Sequence, residues 1–433
     1  MTKTLLCLPV LLPNRMRPLL RLNLISLLMG GLLLGNFLTQ QAFAMDELPI
    51  PTAFGLNTMA PESSWGIRFE QRNNDYHQTY DQHGNLQGLG ASFDGIQLNS
   101  SIFPSLALLG PGASLGTTRF KSEVRNQIST LTIGYGITPD ITIGAIIPYV
   151  KSHTRVSFDV SGATVGANPG FDASQPISAG NFPFAPAGGA VAPMDTAGVQ
   201  NILTNPAYGY QYKRIASQQS EGFSDPTIGV LWRAYKAADQ SLIVGIGWRV
   251  GLARKDDPDN LLDTPPGDGS DDLRTRIEYF KNIGSHLDLR LLADYNWQTR
   301  DKASMRIPSS GQLLALASSK QRLQRDLGDF YETDIELGYR WSNWRWAATW
   351  HRYEKQSDTY RSNLGTDTSS LETNTYTRAD QYRLSATWSG IQAWQQGKLP
   401  LPLIVRLEMQ DTFSGRNFVD VRDIYLQVTA LFK

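Results

Sequence analysis

Apolar and polar residues alternate with a period of two along most of this chain. In 241–252 one register reads Leu242, Val244, Ile246, Trp248, Val250 and Leu252, and the other reads Ser241, Ile243, Gly245, Gly247, Arg249 and Gly251. Segment 286–297 sets Leu287, Leu289, Leu291, Ala293, Tyr295 and Trp297 against Asp288, Arg290, Leu292, Asp294 and Asn296. Segment 330–341 sets Tyr331, Thr333, Ile335, Leu337, Tyr339 and Trp341 against Phe330, Glu332, Asp334, Glu336, Gly338 and Arg340. Successive side chains of a strand point to opposite faces, so each segment reads as a strand with one apolar face and one face of glycine and charge. The same rhythm predicts twelve strands: 64–72, 123–137, 141–158, 224–236, 241–254, 273–281, 286–299, 329–341, 344–356, 378–388, 403–413 and 420–432.

The connections fall into two alternating classes. Short ones are 138–140, 237–240, 282–285 and 342–343, with a longer 389–402; long ones are 73–122, 159–223, 255–272, 300–328 and 357–377, ending with a shorter 414–419. A soluble sandwich has no reason to sort its loops in this way. A transmembrane barrel does, with tight turns at one rim and long loops at the other. The expected fold is therefore an all-β, antiparallel, up-and-down transmembrane barrel of twelve strands. A count of fourteen stays open, because 73–122 has room for a hairpin around Leu86–Leu98.

The N-terminus supports a membrane destination. Lys3, Arg15, Arg17 and Arg21 precede an apolar stretch from Leu22 to Leu38, which is followed by the small-x-small site Ala42-Phe43-Ala44. This pattern predicts a secretory signal peptide over 1–44. The expected organisation is then a periplasmic N-terminal segment over 45–63 and the barrel over 64–433, with 159–223 as its largest extracellular loop. The formal charge is zero for the whole chain, but the four cations of 1–44 leave a mature chain at −4. That balance gives no case for a nucleic-acid partner. The single cysteine, Cys7, leaves with the leader, which excludes a disulfide scaffold. Past residue 44 no run of about 20 apolar residues exists to make a spanning helix. Aromatic residues near strand ends (Tyr149, Trp232, Tyr235, Trp248, Trp297, Trp341, Trp344, Trp346, Trp350, Trp388 and Tyr425) are expected in the interfacial girdles.

Chemistry-bearing motifs are sparse. Gly112-Ala113-Ser114-Leu115-Gly116 matches G-x-S-x-G but lacks the strand-turn-helix context of a nucleophile elbow. The histidines, His77, His83, His153, His286 and His351, form no H-E-x-x-H or similar ligand pair, so neither a metal nor a cofactor is expected. The acid-rich 256–272 lacks EF-hand spacing and reads as a solvated loop. The informative constellation is the polar register of the strands. Arg68, Arg233, Arg249, Arg274, Arg276, Asp288, Arg290, Asp294, Glu332, Asp334, Glu336, Arg340, Arg345, Arg383, Arg406 and Glu408 are the lumen-lining candidates, and Glu70, Arg72, Arg125, Glu278 and Asp423 fall in the same register. Two arrangements are open: opposed charge walls with a field across the pore, or paired ladders that fill a narrow interior.

Two stretches carry a family likeness. Leu131 to Val150, LTIGYGITPDITIGAIIPYV, resembles the central hairpin of a group of proteobacterial outer-membrane proteins associated with the meta pathway of phenol degradation. Ser224-Asp225-Pro226-Thr227-Ile228-Gly229 is similar to a strand start of that group, and Pro61–Arg72 to its first strand. The departures are Pro139 in the turn and the large 159–223 insertion. The resemblance implies an outer-membrane barrel that passes small compounds, aromatic ones among them, and supplies no catalytic residues. The expected function is passive uptake of small hydrophobic or aromatic solutes by a channel that is not an enzyme. The alternatives are a hydrolase on the barrel wall, using Ser114 and His351, and a structural or adhesive surface barrel. Expected partners are outer-membrane lipid and lipopolysaccharide, the small-molecule solute, and the barrel assembly machinery through a C-terminal strand ending at Phe432.

Overall fold

The computed structural model describes residues 49–433, so the expected signal peptide over 1–44 lies outside the described residues. In chain order the wall strands are β1 (Trp65–Tyr76), β2 (Thr117–Thr138), β3 (Ile141–Ser161), β4 (Thr227–Lys236), β5 (Gln240–Arg249), β6 (Asp272–Ile283), β7 (Leu287–Gln298), β8 (Phe330–Trp341), β9 (Trp344–Lys355), β10 (Thr377–Ser389), β11 (Leu403–Arg416) and β12 (Arg422–Phe432). Each pairs antiparallel with the next, and β12 returns to β1 from Trp65↔Phe432 to Asp75↔Arg422. Among the described residues these twelve strands close one ring. Closure matters because hydrocarbon offers no water to satisfy an open edge.

The fourteen-strand count does not form. Segment 73–122 contributes Gln78–Tyr80 and Leu86–Gly88, which pair with each other and with Phe418–Val419 outside the ring. Strands this short cannot cross a bilayer, which needs about 9–11 residues. The strand expected over 224–236 is split. Gln218–Phe223 pairs with the outer half of β3, and β4 starts only at Thr227. Pro226 has no N–H for a ladder, and the buried Asp225 carboxylate accepts backbone N–H bonds from Ala253, Asp268 and Gly269 instead. The strand expected over 241–254 stops at Arg249 for the same reason: the Val250 N–H goes to the Pro226 carbonyl.

The alternation decides which face meets what. Outward positions stay exposed around the circumference, among them Ile228, Ile246, Ile277, Ile335, Leu337, Trp346, Leu384 and Leu407. An apolar surface that runs right round a closed barrel is a lipid-facing belt. Trp232, Trp341 and Trp344 mark the short-turn rim, and Tyr149, Trp248 and Trp297 mark the long-loop rim. Tyr425, expected in a girdle, faces inward instead. It lies opposite Arg72 and Glu408, is 6% exposed, and bonds Gln410 and Asp423.

Five consecutive strands carry a glycine at one level of the inner face. Gly66, Gly134, Gly144, Gly229 and Gly247 are aligned partner to partner across β1, β2, β3, β4 and β5. A Cβ at Gly229 would lie 2.6 Å from the Ile246 carbonyl oxygen, and one at Gly144 would lie 2.5 Å from that of Ile133. Glycine here permits a tight bend in the wall. Gly229→Val is therefore expected to abolish the heat-modifiable barrel band on gels. Gly88→Ala, where a Cβ meets nothing within 4 Å, is expected to leave it intact.

Candidate functional site

The glycine row makes one half of the interior smooth, and the other half carries the charges. On β6 to β11 the inward register holds ion pairs that link strand to strand. Arg345, fully buried, sits 2.6 Å from both Asp288 and Glu336. Arg290 joins Glu278 at 3.2 Å and Glu336 at 3.5 Å. Arg406 reaches Glu336 at 3.5 Å and also pairs with Glu408. Arg383 bonds Asp334 at 3.2 Å and Gln410 at 2.6 Å, while His351 takes the other side of Asp334 at 2.7 Å. Arg274 and Arg276 share Asp294 at 2.7 and 2.6 Å. Gly338 leaves room for this packing, because a Cβ there would fall 2.5 Å from the Asp288 carboxylate. Of the two open arrangements, the paired ladder is the one that forms.

The remaining charged candidates sit at the ends of the ladder. Arg340 closes on Asp288 at 3.2 Å near the short-turn rim. Arg233 bonds the Pro139 carbonyl at 3.1 Å and so holds the turn after β2. Arg249 pairs with Asp268 at 2.7 Å and with Asp272 at the long-loop rim. Glu332 stands opposite Asp294 and Tyr353 on the inner face. Arg125 does not face inward: it is exposed and pairs with Glu123 at 2.7 Å and with Asp75 at 3.9 Å. At that height β2 has risen past the belt, and its outer face meets water.

Arg68 has a different task. Residues 49–63, the described part of the segment expected over 45–63, run inside the short-turn end of the barrel. Arg68 donates to the carbonyls of Gly55 at 2.6 Å and Asn57 at 2.9 Å. Ser389 donates to Ala53 O at 2.6 Å, and the Ala60 N–H bonds Thr142 Oγ1 at 3.1 Å. Phe54 and Leu56 bury themselves against Phe280. The segment thus touches β1, β3, β6 and β10 and crosses the mouth.

Between this segment and the glycine row lies a half-enclosed slot of about 90 Å³. Its walls are the backbone of Gly134, Gly144, Gly229 and Gly247, the inward side chains of Ile146 and Leu231, three threonines (Thr132, Thr142 and Thr227), Thr58, and the two arginines Arg274 and Arg276. The periodicity placed these glycines on the polar face. What it did not reveal is that they share one level, which only the register between strands sets.

The other end is covered by a folded cap. Loop 159–223 forms a core with 94–116: Leu106, Leu115, Val165, Phe184, Val199 and Ile202 are almost wholly buried. Each such side chain contributes about 1.5–3 kcal/mol on burial. Ser114 of the G-x-S-x-G motif lies in this core, bonded to the Gly116 N–H at 3.1 Å, whereas His351 faces the barrel interior beside Asp334. The motif's serine and the candidate histidine are therefore in different parts of the molecule. The acidic loop 256–272 is also pinned down, and differs in this from a solvated loop. Arg306, stacked on Tyr212, bonds Asp259 at 2.7 Å and the Gln211 carbonyl at 3.1 Å, so it ties the cap to two other loops. Arg254 holds Asp263 at 2.8 Å through one of its two bonds.

No family model matches this chain, and no curated protein does. Among solved structures, an outer membrane channel from Pseudomonas putida F1 aligns at a TM-score of 0.49 and 10% identity, over 91% of this chain and all of that one. The Ralstonia pickettii toluene transporter TbuX aligns at 0.36 and 10% identity, over 88% and 92% of the two chains. A Pseudomonas aeruginosa FadL homologue aligns at 0.30 and 10% identity, over 85% and 89%. At these values the likeness fixes no ligand.

Two predictions come from the charges. Arg345→Met takes the nearest cation from two buried carboxylates, leaving Asp288 to Arg340 and Glu336 to Arg290 and Arg406, and is expected to cost about 3 kcal/mol in denaturant unfolding. Arg300→Met, at an exposed pair with Asp326, is expected to change stability by less than about 0.5 kcal/mol. The second concerns pH. Burial opposes the charge on Asp259 and Asp263, but the bonds from Lys320, Arg306 and Arg254 outweigh it and hold both below the usual carboxylate range. A lowered folded value gives stability that is present above the unfolded value of about 4 and lost as pH falls below it. Proteolysis of 203–216 is expected to stay flat between about pH 5 and 8 and to rise below about pH 4. Arg306→Ala is expected to raise it at neutral pH.

Proposed function

We propose that this chain is an outer-membrane channel for passive uptake of small hydrophobic solutes, single-ring aromatic compounds among them. The observation that carries the reading is what the closed ring leaves free inside. The charged half of the interior is spent on itself, its guanidiniums turned to carboxylates one to three strands away. The short-turn mouth is crossed by residues 49–63 and the long-loop mouth is covered by the cap. The slot that remains is lined mainly by apolar atoms. An open water-filled pore for ions or sugars has a polar lumen instead. The motif stretches that resemble the phenol meta-pathway group support an aromatic cargo. The lipid-facing belt accounts for membrane lipid as a partner. Lipopolysaccharide at the long-loop rim and the assembly machinery at the β12 end, with Phe432, complete the setting.

The test is a paired transport assay. Gram-negative cells expressing the barrel are expected to take up radiolabelled toluene several-fold faster than cells without it. Liposomes carrying the refolded barrel are expected not to swell in arabinose, and to swell once residues 49–58 are deleted. Rapid arabinose entry through the intact protein, together with unchanged toluene uptake, would sink the proposal.

A further inference from the structure

We propose that the slot under the glycine row binds one neutral aromatic ring, held against bare backbone on one side and a guanidinium face on the adjoining one. This deepens the uptake reading by naming where the solute pauses and what recognises it.

The argument starts from what each wall can offer. Gly134, Gly144, Gly229 and Gly247 are aligned across β2, β3, β4 and β5, so at that level one side of the slot is bare backbone. Ile146 and Leu231 stand beside it and add apolar contact. The adjoining side comes from β6, whose Arg274 and Arg276 are aligned with Gly247 and Gly245.

Arg276 spends its fork of donors on Asp294. It gives Nε and Nη2 to that carboxylate at 2.8 and 2.6 Å, and Arg274 gives Nη2 to it at 2.7 Å. The side chains of Arg276 and Arg274 nevertheless remain 24% and 26% exposed and line the slot. With its fork committed, the Arg276 guanidinium still presents a flat cationic face, and that face is complementary to the negative face of an aromatic ring. An aromatic carboxylate needs donors rather than faces. To take the Arg276 fork it would have to displace Asp294, which is 2% exposed. A saturated ring of equal size fills the space but has no quadrupole.

Volume sets the size. An enclosed apolar cavity of about 150 Å³ takes a benzene ring. This slot has about 90 Å³ and is open on one side, so one ring fits with an edge projecting into the lumen.

The test uses the full barrel in detergent and three matched probes followed by ¹⁹F NMR: fluorobenzene, fluorocyclohexane and 4-fluorobenzoate. Fluorobenzene is expected to bind saturably, with fluorocyclohexane weaker by about fivefold or more and 4-fluorobenzoate weaker by at least about tenfold. Thr132→Trp fills the slot and is expected to weaken fluorobenzene about tenfold or more, whereas Leu384→Trp on the lipid face is expected to change nothing. Arg276→Met is expected to erase most of the preference for the aromatic over the saturated ring. If Thr132→Trp gives no heat-modifiable band, Ile146→Trp serves in its place. Fluorobenzene binding that survives a filled slot overturns the site, and equal binding of the two neutral rings overturns the guanidinium face. Failure of the uptake reading looks different: slot binding persists while expressing cells take up no toluene. Conversely, toluene uptake with unaltered binding in the filled-slot variant removes the slot and leaves uptake standing.

Discussion

The structure depends on one constraint: a backbone amide inside a bilayer must find its partner within the protein. This forces the ladder from β1 to β12 to return to its start, and Trp65↔Phe432 through Asp75↔Arg422 is where it does so. Closing the ring fixes the size of the interior. A twelve-strand interior is small enough that arginines of the ladder reach carboxylates up to three strands away, as Arg406 reaches Glu336. Partial burial then makes an unpaired charge costly. The ladder of Arg345, Asp288, Glu336, Arg290 and Arg406 follows from closure as much as from sequence.

The ring is not uniform. Where glycines align, from β1 to β5, the wall is only a backbone thick and bends tightly. Where charges align, from β6 to β11, it is thickened by side chains. The slot lies at the boundary between the two, and the N-terminal segment supplies its floor. Among the described residues the charges of the ladder are paired, residues 49–63 cross the short-turn end, and the glycine level of one wall is bare backbone.

The wall and its inside-outside sense were legible in the sequence, because period two is a local property. Leu287 to Trp297 announces its lipid face without reference to any other segment. Strand ends were less legible when something outside the strand fixed them. Asp225 ends β4 early by taking amides from a loop more than 25 residues away, and nothing in 224–236 shows that. The packing of the cap was less legible for a related reason. Leu106, Leu115, Phe184 and Ile202 come from two loops separated by two wall strands, and their apolar positions follow no single period. The partners of Arg233 and Arg68 were not legible, because they are the carbonyls of Pro139, Gly55 and Asn57, which carry no side-chain signal.

The ladder has a consequence for how such a sequence can drift. At Gly229 a change is vetoed locally by the carbonyl of Ile246, so that position answers only to its own backbone. At Glu336 a change is vetoed by three arginines drawn from three strands. It becomes tolerable only if those strands change with it. The smooth wall is thus inherited one position at a time, whereas the charged wall is inherited as a block.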